Sequence, residues 1–325
     1  MVEIGRYTFH YATSLHRVTF GEGITKIPYA AFNNCQSLTE VILPSTITSV
    51  DDFAFGGCYT LISINLPEGL KFIGVSAFSG CSSLSDVTFP ESLMHVYTNA
   101  FFECKNITEV TLPDNVSIVG ENSFAGCEAL KKVSIGINEG NASDCKIQGS
   151  AFLECKSLET VVMNAKVTYI GMHAFQECKA LSDISIPESV NSIDSYAFSS
   201  CDSLSEVTLP DNISKLGHNI FYDSLNVTLK IKKGGLAEKY ANEYFLLHYF
   251  KRHPEWQGRG TVVDKQGERL TILIPEFAYC CKSRFNGNLH RGDEVDLVYN
   301  EADPVELKLH LQVKKLQENS PNSGL

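Results

Sequence analysis

A phenylalanine at position 9 returns as Phe32, Phe55, Phe78, Phe101 and Phe124, then as Phe152, Phe175, Phe198 and Phe221. The spacing is 23 residues, with one step about five residues longer between Phe124 and Phe152. A fixed period of this size over most of a chain is the mark of a stacked solenoid. Each repeat is one coil that cannot bury its own apolar side, so the next coil must supply the missing wall. This constrains the fold more tightly than length or composition does.

Within a repeat the pattern reads Ala-Phe, a cysteine three residues on, an apolar residue six residues after the Phe, then a strand-like run closed by proline. Cysteine fills its column at Cys35, Cys58, Cys81, Cys104, Cys127, Cys155, Cys178 and Cys201, with Ala12 and Ser224 at the two ends. The runs Val41-Ile42-Leu43, Val87-Thr88-Phe89, Val110-Thr111-Leu112 and Val207-Thr208-Leu209 alternate in the period of two that marks a strand. Pro44, Pro67, Pro90, Pro113, Pro187 and Pro210 end them, and a last apolar pair such as Ile47/Val50 or Val190/Ile193 closes the coil. Burying each Phe contributes roughly 1.5–3 kcal/mol. At about 4.8 Å per strand, ten coils predict an array roughly 48 Å long.

The stretch Ile47-Thr48-Ser49-Val50-Asp51-Asp52-Phe53-Ala54-Phe55-Gly56-Gly57-Cys58, recurring in register over residues 2–240, resembles the BspA-type or treponemal leucine-rich repeat. The resemblance implies a leucine-rich-repeat solenoid of short parallel strands that works as a protein-interaction surface. The commoner leucine-rich repeat carries an Asn ladder where this chain has Cys. Members of the family are often surface or secreted proteins. This N-terminus, Met1 to Phe9, is already repeat sequence without a basic or an apolar leader segment, so the sequence as it stands is expected in the cytoplasm.

Eleven cysteines in a small secreted domain would suggest disulfides, but here one repeat column accounts for eight of them. A buried, reduced column of small side chains is the expected reading, since free Cys behaves as a small hydrophobe. No Cys-x-x-Cys pair occurs and no His shares the column, so a metal site is not implied. The net charge of −11 argues against a general polyanion binder, and no apolar run is long enough to span a membrane.

The outward strand positions form two stripes. They run through Glu40/Ile42, Ser63/Asn65, Asp86/Thr88, Glu109/Thr111, Lys132/Ser134, Thr160/Val162, Asp183/Ser185 and Glu206/Thr208. Asp86, Thr88, Glu109, Thr111, Lys132, Asp183 and Thr208 are the candidate contacts for a protein partner. Against that stands a plain reading in which Thr is there for strand propensity and the acids for solubility. Asp86 beside Glu109 makes a poor cation site, because two carboxylates lack the further oxygen ligands that a hard cation takes. The polar insertion Gly136 to Cys145 is expected to bulge as a loop, whether functional or merely tolerated.

The repeats are assigned to 1–230, a capping helix and linker to 231–252, a small β domain to 253–316 and a disordered tail to 317–325. Leu236, Tyr240, Tyr244 and Leu247 follow helical spacing, and Pro254 limits the helix. Beyond it, Val262-Val263, Thr271 to Ile274, Val295 to Val298 and Leu307 to Leu311 read as short strands, which suggests a barrel of the OB type. The segments His253-Pro254-Glu255-Trp256, Gly260 to Asp264, Ile274 to Phe277 and Gly292 to Val295 resemble the C-terminal S1-like segment of RNase II-family ribonucleases. OB barrels bind single strands with a basic groove and stacking aromatics, so Phe277, Tyr279, Lys282, Arg284 and Phe285 are the candidates for single-stranded RNA, beside a plain reading in which the barrel is structural only. The family's acidic catalytic domain has no counterpart here, so hydrolysis does not carry over.

No Walker loop, GxGxxG, HExxH, GxSxG or CxxC motif occurs, and the nine histidines are scattered. No cofactor or enzyme activity is implied. The leading expectation is a non-enzymatic protein-interaction module working through the strand face. The alternative is an RNA-associated protein working through the tail.

Overall fold

The structure is a computed structural model. It describes residues 4–136, 144–164, 166–224, 226–231, 236–237, 240, 254–266, 268–274, 279–285, 288–291, 293–303 and 308–315. The chain divides into two compact units, Met1–Glu238 and Lys239–Leu325.

The first unit is a β-solenoid of parallel strands at the 23-residue period. Its coils are numbered here by their phenylalanines, from coil 1 at Phe9 to coil 10 at Phe221. The phenylalanines make one continuous stack, with ring centroids 5.0 Å apart between Phe9 and Phe32 and 5.6 Å apart between Phe198 and Phe221. At the middle, Phe101 and Phe124 lie within 2° of parallel. From Phe32 to Phe221 these rings are fully buried, whereas Phe9 is 39% exposed because coil 1 has a neighbour on one side only among the described residues.

Three sets of backbone hydrogen bonds tie the coils together. The first runs along the turn that carries the Phe. In coil 3 the N–H groups of Phe53, Phe55 and Gly57 donate to the carbonyls of Val75, Ala77 and Ser79 at 2.9, 2.8 and 2.7 Å. Two residues of the turn, Phe53 (φ 57°) and Gly57 (φ 73°), sit in the left-handed region, and the same pair of positions repeats along the array. Left-handed backbone is costly for a non-glycine residue. Here it lets alternate N–H groups face the next coil, and the rung they make recovers hydrogen bonds that the turn would otherwise lose.

The second set is a continuous nine-stranded parallel sheet on the back. It is built from two-to-four-residue strands, among them Lys26–Ile27, Ser49–Val50, Phe72–Ile73, Ile118–Val119 and Lys215–Leu216. Each carries the second residue of the apolar pair that closes its coil, and the inward residue of most of them is fully buried. Next to the sheet, Gly120 lies so close to the preceding coil that a Cβ there would stand 2.5 Å from the Tyr97 carbonyl carbon.

The third set, on the front, is the strand run expected from the sequence, and it is discontinuous. Arg17–Thr19, Glu40–Ile42 and Ser63–Ile64 form one three-stranded patch. Glu109–Leu112, Lys132–Ile135, Thr160–Met163 and Asp183–Ser185 form a second, of four strands, and Glu206–Thr208 pairs with Thr228–Lys230 in a third. The expected strand Val87-Thr88-Phe89 is corrected: coil 4 contributes only one isolated bridge, Ser63 to Asp86, and Val87 is half-buried where the equivalent Val110 is fully buried.

The Cys column is also corrected in its reason. Each thiol donates a hydrogen bond to the carbonyl of the Phe in the preceding coil, from Cys35 to Phe9 at 3.0 Å through Cys201 to Phe175 at 3.2 Å. In coil 10, Ser224 Oγ donates the equivalent bond to the Phe198 carbonyl at 2.7 Å. The column therefore needs a small donor rather than simply a small apolar group. Burial pushes the Cys81 and Cys127 thiols up to about 12.

The longer step is absorbed between the front strand Lys132–Ile135 and the back strand Cys145–Ile147, so the Phe stack passes it undisturbed. Cys145, read from sequence as part of the loop, is instead a buried member of the back sheet. The rest of the expected loop, 137–143, lies outside the described residues.

Of the expected capping helix, Leu236, Ala237 and Tyr240 have helical backbone, and the remainder lies outside the described residues. The second unit holds a five-stranded antiparallel sheet of Gln257–Gln266, Arg269–Ile274, Tyr279–Arg284, Glu294–Asp303 and Lys308–Lys315. In chain order its strands lie third, second, first, fourth, fifth across the sheet. Val262, Ile272 and Val295 are fully buried within it. Tyr279–Arg284, expected as a nucleic-acid contact segment, is a strand paired to Arg269–Ile274 in register from Ile274–Tyr279 to Arg269–Arg284. Among the described residues no helix is long and apolar enough to cross a membrane.

Candidate functional site

The seven residues singled out for the front face do not make one site. Asp86 and Thr88 fall at the break in coil 4. Glu109, Thr111, Lys132 and Asp183 belong to the four-stranded patch, and Thr208 to the two-stranded one. Inside the second patch, Lys132 Nζ lies 3.0 Å from Glu109 Oε1, so these two charges largely cancel. Thr111 is aligned with Ser134, which is buried although its register places it on the outward stripe. Glu40 is likewise paired with Arg17 at 2.6 Å and Glu206 with Lys230 at 2.7 Å. Exposed pairs of this kind contribute little stability, but they set the charge pattern that a partner meets. Asp86 and Asp183 are the front acids with no ion pair among the described residues.

The ladder already shortens one coil before the break. In coil 1 the Phe20 N–H donates to the Ile42 carbonyl at 3.1 Å, extending the ladder one residue past the strand. In coil 2 the equivalent Leu43 N–H is taken by the side chain of Asn65, whose Oδ1 accepts from it at 2.8 Å while Nδ2 donates to the Leu43 carbonyl at 2.9 Å. Asn65 therefore ends the ladder by imitating a backbone unit. Beyond it, the matching N–H groups of Leu66 and Phe89 have no hydrogen-bond partner among the described residues. Phe89 replaces the usual Leu and turns its ring edge-on to Phe101 and Phe124, at centroid distances of 5.5 and 6.2 Å.

The parted strands leave a cleft of about 370 Å³ lined by Ser63, Ile64, Asn65, Leu66, Asp86 and Thr88. That volume falls within the range of about 300–1,000 Å³ usual for ligand clefts. Its floor is apolar, from buried Ile64 and half-buried Leu66, and its rim is polar. Asp86 and Thr88 were legible as outward residues, and so were Ser63 and Asn65. The cleft they share was not. Its only trace in the sequence is Asn65, standing in a stripe otherwise held by Thr, Ser, Ile and Val.

On the back, a polar cluster escaped the sequence reading. Tyr169 Oη donates to Asp194 Oδ2 at 2.5 Å, and Lys215 Nζ lies 2.6 Å from Asp194 Oδ1. Burial, and then the Asp194 carboxylate, push the Tyr169 hydroxyl up to about 12. Burial acts to raise the Asp194 carboxyl as well, yet Lys215 and Tyr169 hold it below its ordinary value. The three groups satisfy one another, which makes this a clamp across three coils. Among the described residues no group of three His, Cys, Asp or Glu side chains is placed to hold a metal ion.

In the second unit, Tyr279, Lys282 and Arg284 lie on one strand and Phe285 follows it, half-buried. Phe277 and the side chains of Tyr279, Lys282 and Arg284 lie outside the described residues, so the structure brings no RNA site together from them.

Stacked parallel coils of this length, with an inward Phe stack and an exposed strand face, define a leucine-rich-repeat solenoid. A family profile described as the BspA type leucine rich repeat region, in six copies, matches residues 2–131 and 134–238. The chain belongs to that family, whose fold is a general protein-interaction fold. Among solved structures the chain is similar to the leucine-rich repeat protein TpLRR of T. pallidum, at 28% identity and a TM-score of 0.46, over 51% of this chain and 78% of that one. It is also similar to the pneumococcal vaccine antigen PcpA, at 23% identity and a TM-score of 0.40, over 67% and 72% of the two chains. A leucine-rich repeat protein from Bacteroides ovatus matches at 21% identity and a TM-score of 0.30, over 71% and 87%. No curated protein matches the chain. The family match ends at residue 238, so the resemblance of the tail to the RNase II family has no counterpart in these comparisons.

Proposed function

We propose that this chain is a non-enzymatic interaction module that binds a protein partner on the front strand face. The observation that carries the reading is the mixed surface of that face, which joins exposed apolar side chains, polar ones and an open cleft. Its outward stripes put exposed Ile42 and Val162 among Ser, Thr and paired charges, beside an open cleft. Exposed apolar groups rimmed by polar ones mark interaction surfaces. A solenoid offers them as one extended array.

The experiment is capture of partners on the immobilised full chain, with one change on each side. Thr111→Arg on the front is expected to abolish capture of any specific partner, and Lys146→Glu, exposed on the back strand Cys145–Ile147, is expected to leave it intact. Equal capture by both variants overturns the reading.

For the second unit we propose a five-stranded barrel of the OB type. Its strand order is the one in which such a Greek-key barrel is built, with Tyr279–Arg284 and Lys308–Lys315 as the pair that remains to close it. Slow amide exchange along both of those strands supports closure. Fast exchange along their outer edges would leave an open sheet.

A further inference from the structure

Resting on that reading, we propose that the coil 3–coil 4 cleft is the anchor point of the front face, and that it takes an extended peptide segment presenting an arginine or lysine. Three features of the cleft lead there. Charge comes first. The acids on either side, Glu40 and Glu109, are each neutralised by a basic neighbour on their own patch, while Asp86 has no ion pair among the described residues. A partner that brings a cation gains most at Asp86, where no existing pair has to be broken.

Backbone chemistry comes second. The ladder stops at Ile64 on one side and at the single Asp86 bridge on the other, and the Leu66 N–H is left with no partner among the described residues. A carbonyl of an extended segment laid across the face can accept from such a donor. Shape comes third. The floor of Ile64 and Leu66 suits the methylene stem of a long basic side chain, and the Ser63 and Thr88 hydroxyls stand at the rim beside its charged head. An acidic peptide would set its carboxylate against Asp86.

The probe is a short fluorescein-labelled peptide of alternating serine and arginine, with a serine–glutamate counterpart, titrated against the full chain by anisotropy at two salt concentrations. The basic peptide is expected to bind with an affinity that falls as salt rises, and the acidic one is expected not to bind. Asp86→Asn should weaken the basic peptide by about tenfold or more, and Asp86→Lys should transfer the preference to the acidic peptide. Glu206→Gln, on the same face at coil 9, should leave both results unchanged. Thr88→Trp fills the cleft and should block the basic peptide without altering the net charge.

Equal binding of the basic peptide by the parent chain and by Asp86→Asn would overturn the inference, as would an equal loss in Glu206→Gln, which would make the attraction a property of the whole acidic chain. If the cleft fails in this way while partner capture still depends on Thr111, only the anchor is wrong. If capture is insensitive to the front face, the broader reading falls as well.

Discussion

The back and the front of this solenoid are made from the same 23-residue coil, yet one side is a nine-stranded sheet without a gap and the other is three separate patches. The back strands are mostly two residues long, and the front strands reach four. Strand length therefore does not decide continuity. What decides it is whether each coil can offer its N–H and carbonyl groups to the next. On the back, inward residues such as Ile27, Val50, Ile73 and Val119 keep their register from coil to coil, and the sheet stays paired through the one shift at Cys145/Lys146. On the front, the Asn65 side chain takes the Leu43 N–H and carbonyl, and the Leu66 and Phe89 N–H groups make no bond to the next coil among the described residues. Continuity is held where the fold requires it and given up where the surface is free to vary.

The largest effect is expected on the core that both sides share. Folding holds the thiol protons more tightly than the unfolded chain does, because burial pushes Cys81, Cys127, Cys145 and Cys201 up to about 12 from an ordinary 9.0. Their contribution to stability is complete below pH 9 and is lost as pH climbs toward 12. Circular dichroism at rising pH should show a cooperative loss of strand signal in that window. A level signal through pH 12 would contradict the buried column. Phe124→Ala, beneath front and back alike, should cost about 3–5 kcal/mol in urea unfolding.

A smaller effect separates the two sides. Gly120→Val drives a side chain into the Tyr97 carbonyl on the back and should cost about 1–3 kcal/mol. Thr88→Val, at the front break, should stay within about 0.5 kcal/mol of the parent. Equal costs would show that the front is as tightly tied as the back. The smallest effect is expected from Lys132→Ala, which removes an exposed pair with Glu109 and should change stability by about 1 kcal/mol or less.

The period, the inward Phe stack and the outward stripes were legible because each is a column repeated about ten times. The continuous back sheet was not, because a two-residue strand such as Ser49–Val50 is too short to show alternation and shows only as the second residue of the pair Ile47/Val50. The front break was hidden for the opposite reason. Val87-Thr88-Phe89 alternates as well as any strand in the chain, yet the Leu66 and Phe89 N–H groups make no bond to the next coil among the described residues, and nothing in the residue pattern marks that loss. The Cys column was visible, but its cause was not, since a thiol donor and a small apolar group look alike in a repeat pattern. In the tail, Cys280-Cys281 suggests strand packing, but the extent of the strand Tyr279–Arg284 is hidden because its Lys, Ser and Arg do not alternate with apolar residues.

The unbroken back sheet has a mechanical consequence. With the Phe turn bonded from coil to coil and the back laced end to end, the front gaps at coil 4 and between coils 8 and 9 are the compliant joints of the array. A load that spreads the front face bends the solenoid at those joints about a spine that stays closed. The array therefore flexes like a book, opening its pages without tearing its binding.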